Sequence, residues 1–110
     1  MKKIFVLIVI TFILCGCTKN SDELVMVTEA EFAPYEYYEN GEIVGVDVDI
    51  AKYIAEKLNK KLVIKDVAFD SLINEVKTKK ADFAAAGISY TPERDEEVDF
   101  SINYVTSKQV

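Results

Sequence analysis

The side chains of this 110-residue chain best suited to chemistry are Glu29, Phe32, Phe69, Ser89 and Arg94, with the small backbone positions Ala86 and Gly87 between them. An arginine fork grips a carboxylate through two parallel hydrogen bonds. Backbone groups at Gly87 and the Ser89 hydroxyl suit an ammonium or the second carboxylate oxygen, and two phenyl rings can flank a side chain by apolar or cation–π contact. Such a set suits a small zwitterion. Taken singly, each member has a plainer reading. Arg94 sits in the charge run 93–97, which fits a solvated helix face. Phe32 and Phe69 fit a core, Ser89 a turn, and Glu29 and Glu31 exposed loop acids.

Other chemistries are excluded by composition. The chain has no His, and its two cysteines, Cys15 and Cys17, lie in the N-terminal leader. The body therefore has no His-based acid–base pair, no Cys-His nucleophile, no Cys/His zinc site and no disulfide framework. Asp47 and Asp49 read as helix-start residues, because an EF-hand-like loop needs further oxygen ligands and a Gly that Ala51-Lys52 do not supply. There is no Gly-rich nucleotide loop, and neither a cofactor nor a metal is expected. Net charge is −6, and without residues 1–16 it becomes −8, from 11 basic against 19 acidic residues. That balance argues against nucleic acid or an anionic membrane surface as a partner.

The elements that must position these residues alternate between strand and helix. Leu24-Val25-Met26-Val27-Thr28 reads as a strand buried on both faces. Tyr35–Tyr38 and Glu42–Val44 flank Asn40-Gly41, a strong hairpin signal. The spacing of Ile50, Ala51, Ile54 and Leu58 predicts a helix over Val48–Asn59, with Asp47 and Asp49 satisfying free N–H groups at its start. A second strand follows at Leu62–Lys65, then a helix from Asp70 to about Lys79 and a third strand over Asp82–Gly87. Thr91-Pro92 opens a short helix, and Tyr104–Val110 alternates like a strand. The order implies an α/β fold with a parallel β-α-β-α-β core, whose ligands sit at the carboxyl ends of the strands. Glu29, Phe32, Phe69, Gly87 and Ser89 all fall at those ends. The pattern runs to Val110 without a closing turn, as expected for a piece of a larger protein.

Five blocks, in order, resemble the amino-acid-type extracellular solute-binding proteins of bacterial ABC importers. They are Phe32-Ala33-Pro34-Tyr35-Glu36-Tyr37, Gly45-Val46-Asp47-Val48-Asp49-Ile50-Ala51, Ala68-Phe69-Asp70-Ser71-Leu72-Ile73, Ala86-Gly87-Ile88-Ser89-Tyr90-Thr91-Pro92-Glu93-Arg94 and Val98-Asp99-Phe100-Ser101. The resemblance implies a periplasmic-binding-protein-like type II fold, of which residues 24–110 would form most of lobe 1, the second lobe being absent. It also implies that Arg94 holds the α-carboxylate of a free amino acid, helped by the Ser89 N–H. The Gly87 carbonyl and Ser89 hydroxyl would face the α-ammonium, Phe32 and Phe69 would line the side-chain space, and Glu29 would contact a polar or basic side chain. Two positions depart from the pattern: Val46 replaces the usual aromatic, and Tyr90 a smaller residue. With half a clamp, the fragment alone is expected to bind amino acids very weakly or not at all.

The leader completes the expectation. Met1-Lys2-Lys3 and an apolar run over residues 4–14 form a signal peptide, too short to span a bilayer. Leu14-Cys15-Gly16-Cys17 resembles a bacterial lipobox, so residues 1–16 are read as removable and Cys17 as the lipidated new N-terminus. Residues 18–23 follow as a polar tether. The function expected is capture of an amino acid by a monomeric, membrane-anchored, extracytoplasmic lipoprotein that delivers it to an ABC permease. A sensor domain and a carboxylate-dependent enzyme on the same fold are the alternatives.

Overall fold

The structure, a computed structural model, describes residues 21–108. The leader, Cys17 and the final two residues lie outside that range. Six strands and three α-helices follow one another: β1 Glu23–Thr28, β2 Glu31–Phe32, β3 Glu36–Glu39, β4 Glu42–Val44, α1 Val46–Lys57, β5 Lys61–Asp66, α2 Leu72–Lys77, β6 Phe83–Ala84 and α3 Pro92–Asp95. A 3-10 turn over Phe69–Ser71 precedes α2.

One sheet is parallel, ordered β5-β1-β6. β1 is its central strand, in register Glu23 with Lys61 through Thr28 with Asp66 on one edge, and Met26 with Phe83 on the other. Being covered on both faces, β1 is apolar from Leu24 to Val27, and its alternation divides the core. Val25 and Val27 point to one side and pack with Leu72 of α2, Ala81 and Ala86. Met26 points to the other, against Val48 and Ala51 of α1. This is the α/β layering the sequence implies.

The second sheet is antiparallel, ordered β2-β3-β4. Its hairpin turns at Asn40 and Gly41, both with positive φ (51° and 81°) as a two-residue turn of matching twist requires. Asp66, at the end of β5, ties the two sheets together by accepting from the Ala30 N–H (3.0 Å) and the Tyr38 hydroxyl (2.9 Å).

α1 begins two residues earlier than its apolar spacing predicts, and its start is capped by backbone rather than by aspartate. The Val46 and Asp47 N–H groups donate to the Pro34 and Tyr35 carbonyls, both at 3.0 Å. Gly45 makes this approach possible. A Cβ there would lie 2.2 Å from the Tyr35 oxygen, and its φ of +133° disfavours any side chain. At the other end, Asn59 takes a left-handed φ of 53°, so α1 stops at Lys57 although the apolar pattern continues to Leu58.

The remaining differences are of the same local kind. α2 starts after the 3-10 turn and ends at Lys77, where the Thr78 hydroxyl turns back to the Asn74 carbonyl (2.8 Å). The third strand contracts to Phe83–Ala84. The strand expected from Tyr104 is not formed over its described part: residues 101–108 belong to no element and are exposed. Alternation alone makes no strand without an edge to pair with. Tyr104 instead bonds sideways to Asp47.

Gly45 gives the sharpest test of this architecture. Gly45→Ala combines a backbone overlap with an unfavourable φ and should destabilise the full-length protein by roughly 3 kcal/mol. Gly41→Ala, which meets nothing within 4 Å, should cost only about 1 kcal/mol. Urea unfolding of both variants measures the difference.

Candidate functional site

Arg94 lies on α3, a single turn started by Thr91, whose hydroxyl accepts the Arg94 N–H (3.2 Å), and by Pro92 at the first position. Its neighbours Glu93, Asp95, Glu96 and Glu97 are exposed, whereas Arg94 is half-buried. Its guanidinium turns back so that Nη1 donates to the Ser89 carbonyl at 2.8 Å, and Cζ sits 5.5 Å from the centre of the Phe69 ring. The charge run is therefore solvated on all positions but one. Arg94, Phe69, Ile88, Leu72, Ile73 and Asp70 line a cleft of about 190 Å3.

A larger depression of about 520 Å3 adjoins it, lined by Phe32, Tyr35 and residues 87–90 and 100–107. Phe32 stacks on Tyr35 with ring centres 5.2 Å apart. Gly87, at φ +59°, lets the Phe32 ring lie directly on the backbone; a Cβ would stand 2.7 Å from its Cε1.

The predicted residues are thus brought together with two exceptions and one division. Arg94 and Phe69 line the smaller cleft, Phe32, Gly87 and Ser89 the larger, and Ile88 borders both. Ser89 offers its carbonyl to Arg94, a contact that the sequence reading did not include. Ala86 is buried in the core with Val25 and Leu72, so only its backbone is available to the site. Glu29 is half-buried at the end of β1 and lines neither cleft.

Two acids escaped the sequence reading. Asp47 is fully buried; its Oδ2 accepts the Gly87 N–H at 3.1 Å and its Oδ1 the Tyr104 hydroxyl at 2.6 Å. A helical wheel carries the signal, because Asp47 shares the buried stripe of α1 with Val48, Ala51 and Ala55 while Asp49 is exposed. Glu36 of β3 is also fully buried, and neither of its carboxyl oxygens has a hydrogen-bond partner among the described residues. Burial, then the neighbouring Asp47 carboxylate and Glu29, push its pKa from 4.5 up to about 9. Burial and Asp47 also raise the Tyr104 phenol, which keeps it a donor.

Comparison with known proteins follows the same lines. Residues 24–110 match the model of the bacterial extracellular solute-binding proteins, family 3. The chain belongs to this family. It is 40% identical over 120 residues to the arginine-binding extracellular protein ArtP of Bacillus subtilis, covering all of this chain and 47% of that protein. Among solved structures, the arginine-bound form of domain 1 from TmArgBP is 45% identical with a TM-score of 0.66, over 68% of this chain and 60% of that one. An ancestral cyclohexadienyl dehydratase is 30% identical with a TM-score of 0.73, over 76% of this chain and 35% of that one. The chain spans about half the length of the first of these relatives, and its α/β sheet is part of the periplasmic amino-acid-binding fold. The similar proteins named for transport bind substrates rather than convert them, and the dehydratase is a more distant relative.

The Glu36 carboxyl predicts an unusual pH response. Its folded-state value near 9 lies above the ordinary 4.5, so between those limits the folded state holds a proton that the unfolded state releases. This contribution to stability is fully present below about pH 4.5 and is lost as pH rises toward 9. Glu36→Gln should remove that slope and raise stability at pH 8 by about 1–3 kcal/mol. Urea unfolding at pH 5 and pH 8 reads it; an unchanged slope would show that Glu36 titrates normally.

Proposed function

We propose that this chain is the amino-acid-capturing N-terminal part of a receptor for an ABC importer, and that its ligand is a cationic amino acid, arginine foremost. The observation that carries this reading is Arg94: a half-buried guanidinium laid on the Phe69 ring and fastened to Ser89 at the carboxyl end of the sheet. A guanidinium so oriented presents its remaining N–H groups to a carboxylate in a partly desolvated cleft, where charge-assisted hydrogen bonds are strongest. Phe32 and Phe69 supply faces for the ligand side chain, the Ala86–Ser89 backbone and the Ser89 hydroxyl receive the ammonium, and Glu29, which lines neither cleft, acts on the cationic end by its charge from the end of β1. Several relatives are named for arginine, which supports that ligand class.

In this reading residues 1–16 are a removable leader, Cys17 carries the lipid anchor at the extracytoplasmic face, and residues 18–23 tether a monomeric binding domain that delivers its ligand to a membrane permease. Substitution of Cys17 by Ala should then move the protein from the membrane fraction to the soluble one and abolish labelling by a radioactive fatty acid.

Titration calorimetry of the full-length protein with arginine tests the site. Arg94→Ala should weaken binding by about 2–3 kcal/mol, the value of hydrogen bonds to a charged group. Glu29→Gln should weaken arginine by about 1–3 kcal/mol and leave a neutral amino acid unaffected. Unchanged arginine affinity in Arg94→Ala would overturn the reading; in Glu29→Gln it would remove Glu29 from the site.

A further inference from the structure

We propose that Asp47 is a positioning residue of the ligand site, holding the Gly87 backbone in place from beneath the cleft. The inference rests on the reading of residues 86–94 as the site for the amino-acid head group. Asp47 lines neither cleft and is 40 positions away from Gly87 in sequence, yet its Oδ2 takes the Gly87 N–H at 3.1 Å. Oδ1 is held by the Tyr104 hydroxyl at 2.6 Å, which fixes the carboxylate from its other side.

The usual task of an acid at this place in a helix is already done. The first N–H groups of α1 are satisfied by the Pro34 and Tyr35 carbonyls, and the helix has no side-chain cap. A buried carboxylate is costly unless its hydrogen bonds are made, so its location calls for the partners it has. A trans peptide keeps N–H and C=O on opposite sides. Anchoring the Gly87 N–H therefore also fixes the Ala86 carbonyl, which faces away from Asp47. With that peptide fixed and Gly87 held at φ +59°, the chain leaves toward Ser89 in one direction, the direction that lets Arg94 reach the Ser89 carbonyl. The same turn carries the Phe32 ring on its outer side. One carboxylate thus sets the placement of the backbone shared by both clefts.

The test uses the full-length protein with arginine as the probe, and Asp49→Asn, on the exposed side of the same helix, as the control. Asp47→Asn keeps the shape but replaces one acceptor by a donor. It should weaken arginine about tenfold, because the Gly87 N–H exchanges a charged acceptor for a neutral one. It should also shift the Gly87 amide proton upfield in an NMR spectrum, since that proton loses a carboxylate acceptor. Asp49→Asn should change neither. Weakened binding with an unmoved Gly87 amide, or a moved amide with unchanged affinity, overturns the proposal. If Arg94→Ala leaves arginine binding intact, the site reading itself fails; if Arg94→Ala removes binding and Asp47→Asn does not, only the positioning role fails. Should Asp47→Asn not fold, the unsubstituted protein decides: a downfield, slowly exchanging Gly87 amide supports the role, and one exchanging like an exposed loop overturns it.

Discussion

The docking of the Pro34 and Tyr35 carbonyls onto the first N–H groups of α1 is the contact on which the rest of the structure depends. It satisfies groups that every helix start leaves unpaired, and it does so with backbone from a loop more than ten residues upstream. Gly45 permits it by lacking a Cβ. The consequence is geometric. The antiparallel hairpin is fastened to the helix that covers one face of the parallel sheet, so Glu36 and Asp47 are buried near each other. The Asp47 carboxylate, released from capping, is free to reach Gly87 and Tyr104.

Burial raises the pKa of Glu36, which limits the negative charge it adds to the layer it shares with Asp47. With its pKa pushed up to about 9, the Glu36 carboxyl keeps its proton at pH 7. Asp47 in turn has a backbone N–H and a phenol hydroxyl as donors, which offset its desolvation. The arrangement limits negative charge in the layer beneath the Gly87–Ser89 turn. Arg94 is separated from that layer by the Gly87–Ser89 turn and contacts a carbonyl and a ring rather than an acid. Among the described residues no ion pair involves Arg94.

Much of this was legible in the sequence, for physical reasons that can be named. The central strand showed itself as Leu24–Thr28 because both of its faces are covered, and the hairpin because only Asn40-Gly41 offers two consecutive residues tolerant of positive φ. Segment 86–94 was singled out by its order of residue types, and Arg94 does stand apart from its charge run. What was hidden depended on contacts distant in sequence. The helical wheel of α1 separates Asp47 from Asp49, but its partners stay hidden until the Pro34 and Tyr35 carbonyls are known to cap the helix. Glu36 alternates with Tyr35 and Tyr37 like an ordinary strand acid, although it is fully buried. The strand pattern at Tyr104 misled because alternation reports a two-faced segment, not the presence of a pairing edge. Glu29, chosen for its charge beside two aromatics, lines neither cleft.

A site divided between clefts of about 190 and 520 Å3, both open to solvent, constrains how the ligand is held. The smaller is below the roughly 300–1,000 Å3 of typical small-molecule sites, so it suits the head group, while the larger has room for a side chain. Half a clamp was expected to bind weakly or not at all. A relative's isolated domain 1, 45% identical to this chain, has nonetheless been crystallised with arginine, so in that protein one domain suffices for occupancy. A guanidinium already seated on Phe69 and Ser89 loses little freedom on meeting a carboxylate, and the Gly87 turn is held before any ligand arrives. In the proposed reading, closure by a second lobe would add burial and exclude water from hydrogen bonds that the first lobe has already arranged. In the same reading the head group would be recognised first on the parallel sheet, and enclosure would strengthen what recognition began.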